Sequence, residues 1–251
     1  MKHILFTVLV ALSLNCVAGS KQPQPRETVI TAKSWLVADA DGKIIGGVNT
    51  DAIRSIASIT KLMTVMTVLD SGASLSELLP VKLHNRPVTR QQLIDHAMIR
   101  SDNTAAKMLC DTYPDGYHRC IIEMNRKAQS LGMNHTLFTD PTGLLNSNVS
   151  TAHDLVKLVG AATDYPAIVA ASNTPKIEVP GPKRNGWSSN TNHAVGRGLE
   201  FIVSKTGFIR DAGGCIVMML HTSSGIRTVI LLGSTHIGTR ISEALTLANR
   251  Y

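Results

Sequence analysis

Between Ser55 and Leu69 the chain reads SIASITKLMTVMTVL, with Lys61 as its one charge. Ile59, Leu62, Met63, Met66 and Leu69 recur at spacings of 3, 1, 3 and 3, which is helical periodicity, and Val65 and Val68 fill the other side. A helix apolar on nearly all faces cannot lie on a surface. It belongs in the core, and the rest of the chain must supply layers around it. Aromatic residues are only 4% of the sequence, so Leu, Ile, Val, Ala and Met must fill that core. The lysine is the anomaly, because an ammonium group buried among such neighbours is costly.

The elements on either side are unlike each other. SWLVADADGKIIGGVN (34–49) reads as two strands around a turn at Asp41-Gly42. Residues 72–170 read as helices and loops, with starts at Thr89, at Asp102 and at Ser150 or Thr151, and an end at Gly132. The segment 172–198, rich in Pro, Gly, Asn and Ser, reads as a long loop or irregular strands. LEFIVSKTGF, GGCIVMMLHTS and IRTVILLGS then read as three successive strands, and STHIGTRISEALTLANRY as a closing amphipathic helix. The expected fold is α+β. Five strands, from about 28–50 and 199–233, form one antiparallel sheet, and a helical subdomain at about 72–170 is inserted between its halves. The chain shows neither an internal repeat nor an interdomain linker.

The first residues, MKHILFTVLVALSLNCVAGSKQPQP, place a lysine before an apolar run from Ile4 to Leu14, followed by small residues and a polar stretch. This is the pattern of a secretory signal peptide over residues 1–19, cleaved after Ala18 or Gly19, leaving 20–251 as a single unit. Lipid attachment at Cys16 is disfavoured by Ser13, Leu14 and Asn15 before it. No second apolar run of membrane-spanning length follows. The net charge of +7 is spread along the chain rather than gathered into a Lys/Arg run, which argues against a nucleic-acid partner. Export places Cys110, Cys120 and Cys215 in an oxidising compartment. Cys110 and Cys120 flank DTYPDGYHR between two helical stretches, and a disulfide stapling that hairpin is the expectation. Two small buried thiols are the alternative, and a zinc site with His118 lacks an evident fourth ligand. Cys215 reads as a buried strand residue.

Three short motifs carry the chemistry. In Ser58-Ile59-Thr60-Lys61, positions i and i+3 share a helix face, so a hydroxyl can meet an amine. Burial lowers the lysine pKa, and a neutral amine beside a hydroxyl is a general base beside a nucleophile. Ser101-Asp102-Asn103 falls between two helices, where a helix N-cap explains it equally well. Lys205-Thr206-Gly207 ends an apolar strand, where the lysine projects from the edge and the glycine lets a ligand approach the backbone. Each motif alone is weak. The three in order, S-x-x-K, S-D-N and K-T-G, form the set used by penicillin-binding proteins and related β-lactamases.

On these motifs the chain resembles the low-molecular-mass penicillin-binding proteins, the D-alanyl-D-alanine peptidases of the bacterial envelope. SITKLMTVMTVLD, YPDGY, AQSLGMNHTLFTDPTGL, NVSTAHDLVKL, NTNHAV and KTGF resemble the soluble endopeptidases among them. The resemblance runs from about residue 28 to the end. It implies acyl transfer without cofactor or metal: Ser58 as nucleophile, Lys61 as general base and Ser101 as relay to the leaving amine. Asn103 would hold the substrate amide and help fix Lys61, Lys205 and Thr206 would receive a carboxylate beside Gly207, where the substrate approaches the backbone, and the backbone N–H groups of Ser58 and Phe208 would form the oxyanion hole. It also implies peptidoglycan cross-links as substrate, β-lactams as covalent inhibitors and a periplasmic location. The larger carboxypeptidases of the family carry a C-terminal β-domain and a membrane anchor, and this chain is expected to lack both.

Ile209 and Arg210 follow Phe208 where the family commonly has a small polar residue, so either the wall of the leaving-group site or only the strand's exit is expected to differ. Class A β-lactamases add a glutamate in an E-x-x-x-N loop, and no acid between Asn103 and Lys205 lies in that pattern. The motifs do not separate an endopeptidase from a D-alanyl-D-alanine carboxypeptidase of the same family, which stays an alternative, and a non-catalytic antibiotic sensor is the alternative from a different class. The lack of a second apolar run and the complete Ser58, Lys61 and Ser101 set argue against it.

Overall fold

The structure, a computed structural model, describes residues 28–179 and 186–251. The segment 1–19, expected to be a signal peptide, lies outside them. Strands β1 (Ser34–Ala38) and β2 (Ile44–Val48) form a hairpin whose turn places Gly42 at φ 77°. A short β3 (Arg54–Ser55) leads through a 3-10 turn, Ala57–Ile59, into α1 (Thr60–Asp70). The chain continues through β4 (Leu78–Leu83), β5 (Arg86–Thr89), α2 (Arg90–Ile99), α3 (Asn103–Asp111) and α4 (Gly116–Ser130). Next come β6 (Val149–Ser150), α5 (Ala152–Ala162), α6 (Pro166–Asn173), β7 (Lys176–Val179) and β8 (Gly186–Ser189). Long strands β9 (Phe201–Ile209), β10 (Gly213–Thr222) and β11 (Gly225–Ser234) precede α7 (Arg240–Arg250).

The five expected strands do form one antiparallel sheet, in the order β2-β1-β11-β10-β9. Its two faces separate by the period-two rule of strands. Leu36, Ala38, Cys215, Val217, Ile230 and Leu232 face the main core, whereas Trp35, Val37, Ile216, Met218, Val229 and Leu231 face α7. Both faces are therefore apolar, which is why the strands read as nearly continuous apolar runs. On the main face, α1 is the central helix. Its residues from Thr60 to Val68 are all buried. With β9 at the sheet edge and α1 beside it, the junction between sheet and helices is where the three motifs meet.

Local chemistry sets the helix ends. Thr89 forms a reciprocal capping box with Gln92, Asp102 accepts from the amides of Thr104 and Ala105, and Thr151 accepts from that of Asp154. Cys110 and Cys120 form a disulfide between α3 and α4, with Cα atoms 5.4 Å apart, so neither sulfur is free to bind zinc with His118. Cys215 is free and buried.

Three elements differ from the sequence reading. The stretch 78–89, expected to be helix or loop, is a hairpin of β4 and β5. Its turn is His84-Asn85, with φ of 50° and 63°, the left-handed pair that a tight hairpin requires. The helix read through Tyr165 ends at Ala162, and Pro166 opens a separate helix at its first position, where the missing N–H is harmless. The segment 172–198, read as loop or irregular strands, contains the β7–β8 pair. No helix among the described residues is long and apolar enough to cross a membrane.

Candidate active site

Ser58 sits in the 3-10 turn just ahead of α1 rather than inside the helix. The i, i+3 relation still brings the pair together, with Lys61 Nζ 2.9 Å from Ser58 Oγ. Ala57, immediately before the serine, is fully buried and adopts φ 47°, a left-handed conformation that a residue with a Cβ rarely takes. Two glycines make room for it. A Cβ on Gly143 would lie 2.0 Å from Ala57 O, and one on Gly207 would lie 2.9 Å from Ile56 O and 3.0 Å from Ser58 N. The glycine of K-T-G therefore admits the nucleophile's own turn against β9. The sequence reading assigned it to the approach of a ligand, and the packing adds a second demand at the same position.

Lys61 is fully buried, and all three of its hydrogen-bonding directions are used. Besides Ser58, it donates to Asn103 Oδ1 at 2.7 Å and to the Thr142 carbonyl at 2.6 Å. Burial pulls its pKa down from 10.5 to about 7, while the more distant charges of Asp140 and Asp102 pull it partly back. Asp140 organises the loop that presents Thr142. One of its oxygens accepts from the Thr142 amide, the Thr142 hydroxyl and the Gly143 amide, and the other accepts from Leu145 N and Asn148 Nδ2. Burial alone would raise the Asp140 pKa, but these hydrogen bonds outweigh it and hold the carboxyl below its usual range.

Lys205, on the edge strand, is the second buried lysine, only 1% exposed. Its register partner on β10 is Val217, and cross-strand partners share a face, so both look toward the main core. Its ammonium donates to Ser101 Oγ and to the Thr206 carbonyl, each at 2.9 Å. Burial, then the neighbouring charges of Lys61 and Arg240, push its pKa well below the ordinary lysine value. Ser101 itself adopts φ 59°, and Asn103 opens α3. Ser101 thus faces Lys205 and Asn103 faces Lys61, and Asp102 between them caps the helix. Thr206 Oγ1 lies 2.6 Å from Thr191 Oγ1. Arg240, from α7, reaches the Gly207 carbonyl at 3.4 Å. Phe208 is half-exposed at the mouth.

The structure therefore brings Ser58, Lys61, Ser101, Asn103, Lys205, Thr206 and Gly207 into one cleft between α1, the α2–α3 turn and β9. Sequence reasoning missed Asp140, the Thr142 carbonyl, Gly143, Thr191 and Arg240. The D-P-T-G run was the available signal for the first three, as an aspartate that caps its own turn two and three residues on. Arg240 gave none.

A serine paired with a buried lysine, between a five-stranded antiparallel sheet and a helical insertion, is the arrangement of penicillin-binding-protein-like serine enzymes. The D-alanyl-D-alanine carboxypeptidase family model matches this chain at residues 19–87 and 76–234. A D-alanyl-D-alanine endopeptidase of Pseudomonas aeruginosa is 34% identical over 97% of this chain and 86% of its own length. One from Escherichia coli is 40% identical over 80% of this chain and 70% of its own. Penicillin-binding protein D2 of Listeria monocytogenes, solved with ampicillin bound, superposes with a TM-score of 0.78 at 26% identity, covering 90% of this chain and 98% of that one. The chain belongs to the D-alanyl-D-alanine carboxypeptidase family, and its activity is that of a serine-type D-Ala-D-Ala peptidase.

Proposed function

We propose that the protein is a periplasmic D,D-endopeptidase that hydrolyses the D-alanyl-diaminopimelate cross-links of peptidoglycan through an acyl-enzyme on Ser58. One observation carries the catalytic assignment. A neutral amine has two N–H donors and one lone pair. Of the three partners of Lys61 Nζ, Asn103 Oδ1 and the Thr142 carbonyl can only accept. The lone pair is left for Ser58, the one partner with a proton to give. With a pKa of about 7, the neutral form is well populated at neutral pH.

The steps follow from that polarity. Lys61 takes the hydroxyl proton as Ser58 Oγ attacks the D-alanyl carbonyl, and the oxyanion is received by the N–H groups of Ser58 and Phe208. The C–N bond then breaks. The departing amine takes the proton that Lys61 removed from Ser58, leaving an ester on Ser58; Ser101 enters this relay by exchanging its hydrogen bond with Lys205 for one to Lys61. Water, deprotonated by the same amine, hydrolyses the ester and restores the serine. Asn103 keeps Lys61 in place with its carbonyl and offers its NH₂ group to the substrate amide. Lys205 and Thr206 receive the carboxylate on the D-centre beyond the scissile bond. That carboxylate adds a negative charge beside Lys205 and favours its ammonium form. The ampicillin-bound form of the Listeria relative supports β-lactams as ligands of this protein.

The preference for cross-links over terminal D-alanine rests on the endopeptidase relatives, because both substrates present a carboxylate to Lys205. Digestion of purified muropeptide dimers beside a monomeric pentapeptide tests it. Dimers should fall to monomers while the pentapeptide keeps its terminal D-alanine. Loss of that D-alanine with dimers intact would make the enzyme a carboxypeptidase. Ser58→Ala should abolish both hydrolysis and labelling by fluorescent penicillin, and surviving label would remove Ser58 as nucleophile.

A further inference from the structure

Three side chains lie next to the S-D-N turn without a place in the steps above. His84 occupies the tip of the β4–β5 hairpin, His96 the last turn of α2, and Asp102 the cap of α3. A ring nitrogen from each histidine and a carboxylate oxygen of Asp102 lie within 4.8 Å of one another, the one such grouping among the described residues. His84 Nε2 is 3.7 Å from Asp102 Oδ2. The other carboxylate oxygen, Oδ1, is engaged by Thr104 N at 2.8 Å and Ala105 N at 3.1 Å, so Oδ2, which has only the longer ion-pair contacts with His84 and Arg100, is the atom that can take a further partner. His96 is only 7% exposed, and its buried Nδ1 has no hydrogen-bond partner. A buried imidazole nitrogen left unpaired is costly, and native proteins rarely leave one without a reason.

We propose that His84, His96 and Asp102 bind a Zn²⁺ ion. Two imidazoles and one carboxylate form a three-ligand zinc set, with the fourth tetrahedral position left to water. Imidazole-rich sites favour zinc over calcium or magnesium, which take mainly oxygen ligands. Bonds of about 2.0 Å in tetrahedral geometry place ligand atoms about 3.3 Å apart. The three groups therefore need to close by up to about 1.5 Å from their present spacing. His84 can supply that movement, since its side chain is 43% exposed on a hairpin tip. The competing charge is the Arg100 guanidinium, 3.8 Å from the same Asp102 oxygen. The site lies one residue from each catalytic partner on that turn, because Ser101 meets Lys205 and Asn103 meets Lys61. An ion held there would fix the cap from which both project. The assignment stands independently of the choice between endopeptidase and carboxypeptidase.

Calorimetric titration of the untagged protein with ZnCl₂, after EDTA treatment and desalting, tests it. Wild type should show one saturable site. His84→Asn, a residue that tolerates the left-handed conformation at that position, should weaken binding about tenfold or more. The metal-free variant should label with fluorescent penicillin at the rate of the metal-free wild type. Arg100→Gln, which keeps all three ligands and removes the competing charge, should bind Zn²⁺ several-fold more tightly. Absence of saturable binding in wild type, unchanged affinity in His84→Asn, or unchanged or weaker affinity in Arg100→Gln would each overturn the assignment.

Discussion

Gly207→Ala tests the packing that sets the nucleophile. The new methyl would stand 2.9 Å from Ile56 O, 3.0 Å from Ser58 N and 3.1 Å from Ala57 Cβ. Two of these atoms are backbone, so no flexible side-chain end can swing away. Ordinary contact needs about 3.5 Å, so β9 and the Ala57–Ser58 turn must part by about 0.5 Å. A 1 Å misplacement of a reacting group costs on the order of 100-fold in rate, and half that shift costs on the order of tenfold. Overpacking should also cost about 1–3 kcal/mol of stability. The assay is the rate of acylation by fluorescent penicillin, with thermal unfolding measured in parallel. The expected result is a roughly tenfold slower acylation in a protein that still folds. An unchanged acylation rate with a raised KM for peptide substrates would refute the reasoning, because it would return the glycine to the role of admitting a ligand.

The acylation rate should rise about tenfold between pH 6 and pH 8 and then level off. Lys61 is protonated below its pKa of about 7 and becomes a base as pH rises through that value; a flat profile across this range would contradict the assignment. Lys205→Ala should mainly weaken the use of substrates carrying the D-centre carboxylate, and an equal loss on an amidated analogue would remove that role from the lysine. Replacing Cys110 and Cys120 together by alanine should lower stability by about 3 kcal/mol, the chain-entropy effect of opening a loop of sequence separation 10, as read by urea unfolding. An unchanged urea midpoint would show that the hairpin is held by packing alone.

The sheet and the central helix were legible in sequence because both are written in local patterns. Strands β9, β10 and β11 are continuous apolar runs bounded by turn residues, and α1 has helical spacing on all sides. The β4–β5 hairpin was not. Its alternation of Leu79, Val81 and Leu83 is present, but Pro80 interrupts it, and His84-Asn85 lacks the glycine that usually marks such a turn. The helix break before Pro166 was visible in the proline itself, yet the apolar pattern runs on across it.

What the sequence determined by itself was the chemical inventory and its order. A lone lysine three residues after a serine in an apolar helix, an S-D-N between helices and a K-T-G on a strand are all local statements. What only the tertiary structure decided is how those groups divide the work. Ser101 pairs with Lys205 rather than with Lys61, and Asn103 and the Thr142 carbonyl hold Lys61 so that its lone pair is left for Ser58. Gly143 and Gly207 close on Ala57 from two sides. Apart from the Lys61–Ser58 pair, each of these contacts joins residues about 40 to 150 positions apart, on elements brought together by burying both faces of one sheet. Periodicity within a segment carries no information about which distant carbonyl will meet a buried amine.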